Sequence, residues 1–312
     1  MRPFYDRWFD EIKDLGANWV EIIVPCKIKS DGSVWYNSYD SPNWLPIDND
    51  EGTEENIKRH VRLAQSKGFK VFLNMSPFVK QDHDTRDFFG WIQDYEDLTL
   101  RWADYAEELG VEAFGPEGEF GGTEFHMGLE PLRYYPNGDW YVRTPRLRRW
   151  IQQLIPKVRS KYSGKIIVQE NVYTHPDVDF SGADYIGLHL HANIEEIGDE
   201  RFIPGRTPRK YCEYLRKHLE AAQEAAERDN CRVMVSEASF GAIPTNGYVS
   251  PNNTIVNEQQ QKELCEAFFD EVWGETDGIF TWEWASNPRM GRSLAVTDRP
   301  AEDVVRSYYQ SC

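Results

Sequence analysis

Apolar residues occur along the chain in two alternating patterns, which are short uninterrupted runs and longer stretches with a helical period. The short runs are rich in β-branched and aromatic side chains, a composition typical of strands buried on both faces. We predict seven strands, at residues 19–25, 70–77, 112–120, 165–173, 183–191, 232–239 and 278–285. The helical pattern predicts helices at residues 3–15, 54–67, 91–109, 145–162, 208–228, 257–273 and 301–310. Strands therefore alternate with helices along most of the sequence.

This alternation predicts an α/β fold in which helices cover a parallel sheet. Because a helix precedes the first predicted strand, we expect a (β/α)8 TIM-type barrel that lacks its first β-strand, so that seven strands are visible. That strand would lie N-terminal to Met1 or be absent. No change in composition and no Pro- or Ser-rich linker divides the sequence. We therefore expect a single barrel domain over residues 1–312.

The composition narrows the classes of partner. A formal net charge of −17 disfavours contact with phosphate backbones, so we expect no nucleic-acid partner. The 11 Trp and 16 Tyr residues favour a carbohydrate partner, because aromatic rings stack on the apolar faces of sugar rings. We find neither an apolar run of membrane-spanning length nor an apolar N-terminal segment, so as written we expect a cytoplasmic protein without a membrane partner. The sequence leaves the oligomeric state open.

The cysteines are odd in number and widely spaced, at Cys26, Cys212, Cys231, Cys265 and Cys312. None of them forms a C-x-x-C pair, so the pattern predicts reduced thiols rather than a disulfide framework or a zinc ribbon. We expect neither a metal ion nor another cofactor.

Catalytic groups of a parallel barrel lie at the carboxyl ends of its strands. Residues with suitable side chains lie at or just beyond the predicted strand ends, namely Lys27, Asn74, Glu117, Glu119, Glu170, Asn171, His189, His191, Glu237, Trp282 and Glu283. Two carboxyl groups about 5–5.5 Å apart suit a retaining glycosidase, in which one protonates the leaving oxygen and the other attacks the anomeric carbon. Glu237 follows the apolar run RVMV and is the predicted nucleophile. Glu117 and Glu119 are both candidates for the acid/base.

Several segments resemble the clan A glycoside hydrolases, the 4/7 superfamily, and most closely the β-mannanases of family 113. The resemblance is carried by LGANWVEI, HVRLAQSKGFKVFLN, WIQQLIPKVRSKYSGKIIV, ADYIGLHL, VMVSEASFG and GIFTWEW, and together with the turn at 114–120 these cover nearly the whole chain. The resemblance implies a retaining enzyme that cleaves β-linked sugars of mannan type by double displacement.

The resemblance also implies roles for individual residues. The family's strand-four element, similar to F-x-I-G-T-E-L, places Glu119 on the acid/base when it is laid on residues 114–120, and Glu237 matches the nucleophile. Trp282 matches the tryptophan that floors the −1 sugar subsite, and Asn171 matches an asparagine that closes strand five. The expected substrate-binding residues are Trp282, Asn171, Glu117, His189, Tyr173, Trp35, Phe240 and Asn74.

The chain departs from the family at several of these positions. Pro116 and Glu117 replace Ile-Gly, Phe240 replaces a common tyrosine, and Asn74 replaces a common lysine. His189 and His191 replace a segment that carries tyrosine. Because these positions belong to the sugar subsites, the departures leave the retaining mechanism in place and the choice of sugar open.

Two other functions fit the same sequence. His189 and His191 share one strand face and, with Glu237 as a third ligand, could hold a metal ion in a metal-dependent hydrolase. Alternatively, the chain could be a carbohydrate-binding barrel without catalysis. Glu237 itself could also be a structural residue that pairs with an arginine such as Arg292. A metal analysis of the purified protein tests the metal-dependent hydrolase. The distance between the Glu119 and Glu237 carboxyl groups tests the non-catalytic barrel.

Overall fold

The computed structural model describes residues 4–28, 34–36, 53–77, 88–117, 133–134, 140–141, 145–171, 179–191, 209–240, 257–281 and 295–311. The strands are β1 (Trp19–Ile28), β2 (Val34–Trp35), β3 (Lys70–Pro77), β4 (Ala113–Gly115), β5 (Arg133–Tyr134), β6 (Trp140–Tyr141), β7 (Lys165–Asn171), β8 (Tyr185–His191), β9 (Arg232–Ser239) and β10 (Ile279–Thr281). The helices are α1 (Phe4–Leu15), α2 (Glu54–Ser66), α3 (Phe88–Leu109), α4 (Pro145–Arg159), α5 (Arg209–Asp229), α6 (Glu258–Val272) and α7 (Pro300–Tyr309). None of these helices combines the length and apolar character needed to cross a membrane.

The chain divides into two compact units. The first unit contains Trp19–Ile186 and Ala225–Cys231, and the second contains Met1–Asn18, Gly187–Glu224 and Arg232–Cys312. Strand β8 and helix α5 each have residues in both units. The expectation of a single domain concerns the whole chain and stays a prediction.

The predicted alternation of strands and helices is confirmed. Strands β1, β3, β4, β7, β8, β9 and β10 fall on the seven predicted runs. Strand β4 is shorter than the predicted strand at 112–120, because Pro116 has no backbone N–H with which to continue the ladder after Gly115. The two-residue strands β2, β5 and β6 were not predicted, since they are too short to show a periodic pattern.

The sheet of the first unit has the strand order β7-β4-β3-β1-β2. Its strands β1, β3, β4 and β7 are parallel, whereas β2 pairs antiparallel with the end of β1. The register places Ile23 beside Asn74, and Asn74 beside Gly115. Aligned residues on neighbouring strands point to the same face, so the register determines which side chains share a face.

The two faces of this sheet differ in chemistry. One face consists of buried apolar side chains, namely Val20, Val24, Val71, Leu73, Met75, Phe114, Ile166 and Val168. Phe114 packs edge-on against Tyr162, just beyond α4, with the ring centroids 5.9 Å apart, so helical segments cover this face. The opposite face carries the polar side chains of Glu21, Asn74 and Gln169, which alternate with apolar positions along their strands. We call this second face the polar face because these three side chains lie on it.

Helix α2 begins where the sequence predicts. The Thr53 side chain accepts a hydrogen bond from the backbone N–H of Asn56 at 3.3 Å, which caps the first turn of the helix. The Lys58 ammonium group lies 3.3 Å from the centroid of the Tyr105 ring and so connects α2 to α3.

The sheet of the second unit has the strand order β10-β9-β8. Strand β10 runs parallel to β9, and its register shifts between Ile279 and Thr281. Helices α6 and α7 pack through aromatic rings, with Phe269 stacked on Tyr308 at a centroid distance of 4.7 Å. Helix α7 also contacts the end of α1, where the Arg306 guanidinium donates to the Asp14 carbonyl at 2.6 Å.

Four of the cysteines lie in the described residues, and all four, Cys26, Cys212, Cys231 and Cys265, are free thiols. The redox state of the cysteines in solution stays a prediction. Burial raises the pKa of the Cys26 thiol to about 12, so this thiol stays protonated and unreactive at neutral pH.

Gly115 is expected to tolerate no larger side chain. A Cβ atom there would lie 2.5 Å from Asn74 Oδ1 and 3.0 Å from the Phe72 ring, and both neighbours are buried. Gly115→Ala should therefore lower the free energy of unfolding by about 1–3 kcal/mol, measured by chemical denaturation. In the control Gly278→Ala, the new methyl group would meet only Met234 Cε at 3.8 Å. Equal losses of stability in the two variants would contradict the steric argument.

His60 should make stability depend on pH. Burial, with a smaller contribution from Arg59, lowers the pKa of His60 from 6.5 to about 4. Between these values the unfolded chain binds a proton that the folded chain does not, so stability falls as the pH falls from 6.5 to 4, by at most about 1.4 kcal/mol per pH unit. Denaturation of His60→Gln across this range should show a flatter dependence. Arg59→Gln is the control and should keep most of the slope.

Candidate active site

Glu237 lies near the carboxyl end of β9, in the second unit. The strand is buried from Val233 to Ser236, and Glu237 is the next residue, with 16% of its side chain accessible. The apolar run brings the strand through the protein interior, and its end presents a carboxylate at the surface. A ligand can therefore reach this group while protein surrounds most of it.

The His189 imidazole lies beside the Glu237 carboxylate. Strand β8 lies beside β9, and Ser236 Oγ donates to the Leu188 carbonyl at 3.4 Å. This pairing leaves His189 Nδ1 3.6 Å from Glu237 Oε2, a distance at which a protonated imidazole forms an ion pair. The imidazole is only 1% exposed, so it contacts the carboxylate from within the protein. The structure thus brings two of the predicted site residues together.

Glu117 lies in the first unit, just after β4, and its side chain is 1% exposed. The carbonyl of the preceding Pro116 accepts hydrogen bonds from the Tyr95 hydroxyl at 3.3 Å and from Thr99 Oγ1 at 3.4 Å. Burial, with smaller contributions from Cys26 and Glu117, raises the pKa of Tyr95 well above its ordinary value, so this hydroxyl remains a donor. Two side chains of α3 therefore fix the backbone at the end of β4.

Asn74 belongs to a buried polar cluster on the polar face of the first unit's sheet. Its Nδ2 donates to Glu21 Oε1 at 2.7 Å and to Gln169 Oε1 at 2.9 Å. An amide nitrogen carries two hydrogens, so both are used within the protein. Asn74 is 4% exposed and Gln169 is 3% exposed. In this arrangement Asn74 connects three strands, and its Oδ1 is buried as well, so its predicted contact with the substrate stays a prediction.

Phe240 lies just beyond the end of β9 and is fully buried. Its ring packs against Phe268 and Phe269 of α6, at centroid distances of 5.2 and 6.3 Å. In this structure Phe240 is part of the core between strand and helix. Its predicted contact with the substrate stays a prediction.

The remaining predicted site residues are described in part or not at all. Asn171, Trp35 and His191 are the last residues of β7, β2 and β8, respectively. The structure describes their backbone and not their side chains. Glu119, Tyr173 and Trp282 lie outside the described residues. The separation of the predicted catalytic carboxyl groups therefore stays a prediction.

The sequence analysis missed several residues that support the site. Glu21 and Gln169 are polar positions inside the apolar runs WVEIIVP and KIIVQE, and that interruption was the available signal. Tyr95 and Thr99 lie within a long helix and carry no such signal, because their partner is a backbone carbonyl of another element.

The described part of the chain contains no group of three His, Cys, Asp or Glu side chains that could hold a metal ion. His189 and Glu237 supply two such groups side by side, and the His191 side chain lies outside what is described.

No protein-family model matches this sequence, and neither does any curated protein. Solved structures do match. A GH113 β-1,4-mannanase has a TM-score of 0.67 and 15% identity, over 100% of this chain and 94% of that one. The GH113 β-mannanase of Alicyclobacillus acidocaldarius has a TM-score of 0.66 and 18% identity, over 98% and 91% of the two chains. A fungal β-1,4-galactanase has a TM-score of 0.57 and 14% identity, over 96% and 89%.

These similarities establish the fold. The chain has an α/β fold of (β/α)8 type, which is the fold of these GH113 enzymes and of clan A glycoside hydrolases in general. The fold that the sequence resemblance implied is thereby confirmed.

The contact between His189 and Glu237 should appear as energetic coupling. His189→Leu and Glu237→Gln, measured singly and together by chemical denaturation, should deviate from additivity by about 0.5–3 kcal/mol, because each variant removes the same interaction. His218 is a control histidine, buried on α5 with its ring 4.5 Å from that of Tyr214. His218→Leu combined with Glu237→Gln should be additive. Additivity in both pairs would show that the His189 contact contributes nothing.

Proposed function

We propose that this chain is a retaining glycoside hydrolase that cleaves β-linked sugars in a mannan-like polysaccharide or oligosaccharide. The observation that carries the proposal is Glu237, a partly accessible carboxylate at the end of a buried parallel strand, with an imidazole 3.6 Å away. Strand ends of this kind hold the catalytic groups in (β/α)8 enzymes. The GH113 mannanases and the galactanase that share the fold support the same reaction class.

Glu237 acts as the nucleophile and Glu119 as the acid/base. The Glu237 carboxylate attacks the anomeric carbon while the protonated Glu119 gives its proton to the leaving glycosidic oxygen, which forms a covalent glycosyl-enzyme. Glu119, now a carboxylate, removes a proton from water as that water attacks the anomeric carbon and releases Glu237. Two inversions give retention, and the reaction needs no cofactor.

His189 supports the nucleophile in this proposal. The imidazole lies 3.6 Å from Glu237 Oε2 and so limits the orientations that the carboxylate can adopt. Because the ring is almost entirely buried, it contacts the carboxylate from the protein side, and 16% of the Glu237 side chain stays accessible.

The burial of Glu117 favours Glu119 as the acid/base. A group that serves first as an acid and then as a base must reach both the leaving oxygen and a water molecule. Glu117 is 1% exposed and has almost no surface for either contact. We assign it instead to the environment of the acid/base.

Two substitutions test these roles. Glu237→Gln should lower kcat by at least about 1,000-fold while the protein still binds sugar, because the amide keeps the shape and loses the nucleophile. Glu119→Ala should lose activity on polysaccharide and recover part of it on aryl glycosides with good leaving groups, which need no proton. Initial rates and oligosaccharide binding are measured on panels of mannan, glucan, xylan and galactan.

Glu271→Gln is the matched control for Glu237→Gln, since Glu271 is a carboxylate on α6 that pairs with Arg216 at 2.6 Å. It should leave the rates unchanged. Partial recovery in Glu117→Ala in place of Glu119→Ala would overturn the choice of acid/base. Sugar binding without turnover by the wild-type protein on every panel would show that the chain is a binding protein.

A further inference from the structure

Gln261 is a fully buried amide in the first turn of α6. The turn is fixed by Asn257, whose side chain accepts from the backbone N–H of Gln260 at 3.0 Å and whose carbonyl accepts from that of Gln261 at 3.1 Å. Burial of an amide without hydrogen bonds lowers the stability of the folded state. The hydrogen-bond partners of Gln261 therefore indicate why a polar residue occupies this position.

Both hydrogens of the Gln261 amide are donated to backbone carbonyls. Nε2 lies 3.0 Å from the carbonyl oxygen of Phe240 and 3.2 Å from that of Ala295. The first carbonyl lies one residue past the end of β9, and the second lies ahead of α7. One side chain therefore joins the exit of β9, the start of α6 and the chain that enters α7.

Arg299 also binds at this junction, by which we mean the place where Gln261 joins Phe240, Ala295 and the start of α6. Its Nη1 donates to Gln261 Oε1 at 3.4 Å and to the Ala295 carbonyl at 2.8 Å. The guanidinium is 8% exposed, and burial, partly opposed by Glu258, lowers the pKa of Arg299. A buried cation at this place orients the Gln261 amide, because Arg299 can only donate and so turns Oε1 towards itself and Nε2 towards the carbonyls.

The junction holds the strand end that carries Glu237. Phe240 lies three residues beyond Glu237, its carbonyl is bound by Gln261, and its ring is packed against Phe268. The ladder of β9 ends at Ser239, so Gln261 fixes the chain directly after the last strand residue. Because the chain is bound directly after Ser239, the end of β9 keeps its position when a ligand binds.

We propose that Gln261, oriented by Arg299, is a positioning residue for Glu237. It fixes the backbone at the exit of β9 and thereby the point from which the Glu237 carboxylate is presented. The inference rests on the proposed role of Glu237 as the nucleophile. A displacement of about 1 Å at a reacting group lowers rates by about 100-fold, so a small shift of this strand end is sufficient for a large effect.

Gln261→Met and Gln261→Glu are the test variants. Methionine keeps the volume and removes all the hydrogen bonds, whereas glutamate keeps the shape and replaces the donor with an acceptor that faces two carbonyls. Both should lower kcat by about 10- to 100-fold, because the Glu237 carboxylate loses its orientation. Both should change KM by less than about three-fold, because the residues that bind the sugar are unchanged. Gln259→Met is the control, since Gln259 is exposed on the same helix and its Nε2 donates to Glu263 at 2.7 Å. The control should match the wild type.

A second readout needs no substrate. Hydrogen exchange of the backbone amides in residues 236–240 should be faster in Gln261→Met than in the wild type and in Gln259→Met. Arg299→Lys is the milder variant, in case the Gln261 variants do not fold, and should shift kcat and exchange in the same direction by less. Unchanged exchange at 236–240, or a kcat within two-fold of the wild type, would overturn the proposal. If the wild type cleaves no sugar, the proposed function fails, and the exchange comparison still decides whether Gln261 holds this strand end.

Discussion

The pairing register of the parallel strands is the constraint on which the rest of this structure depends. In the first unit it aligns Ile23, Asn74 and Gly115, and so places Asn74 on the face opposite to the buried apolar side chains such as Val71 and Leu73. The apolar face is covered by helical segments and provides the core. The polar face is possible because its side chains satisfy one another, as Asn74 does with Glu21 and Gln169.

Much of the fold followed from the sequence, because strands buried on both faces leave long apolar runs and the helices between them have clear starts, such as Thr53. The ends of elements were harder to predict, as β4 shows by stopping before Pro116. Glu237 could be placed because it follows the apolar run RVMV near the end of a predicted strand. The sequence brought His189 and Glu237 together only as possible metal ligands, whereas the structure shows the imidazole directly beside the carboxylate. Gln261 looked like an ordinary polar residue at a helix start, because both of its partners are distant backbone carbonyls.

The similarity to solved enzymes likewise extends to the fold and not to individual side-chain contacts. Identity of 15–18% with the GH113 structures extends over nearly the whole of both chains, which is what conserved patterns of buried and exposed positions produce. Ligand contacts depend on single side chains, and a shared fold does not determine them. Asn74 is an example, because both of its amide hydrogens are already used inside the sheet. A fold can thus be shared while the contacts that select a sugar differ.

The anchoring of Pro116 has a consequence for how this site can change over evolutionary time. Tyr95 and Thr99 bind a main-chain carbonyl, a group that every amino acid has, so the anchor does not depend on which side chain occupies that position or the next. Substitutions at these two positions can then accumulate while the backbone at the end of β4 stays bound to α3. The end of β4 is thus a place where the side chains at positions 116 and 117 can change without loss of the bonds that hold the backbone.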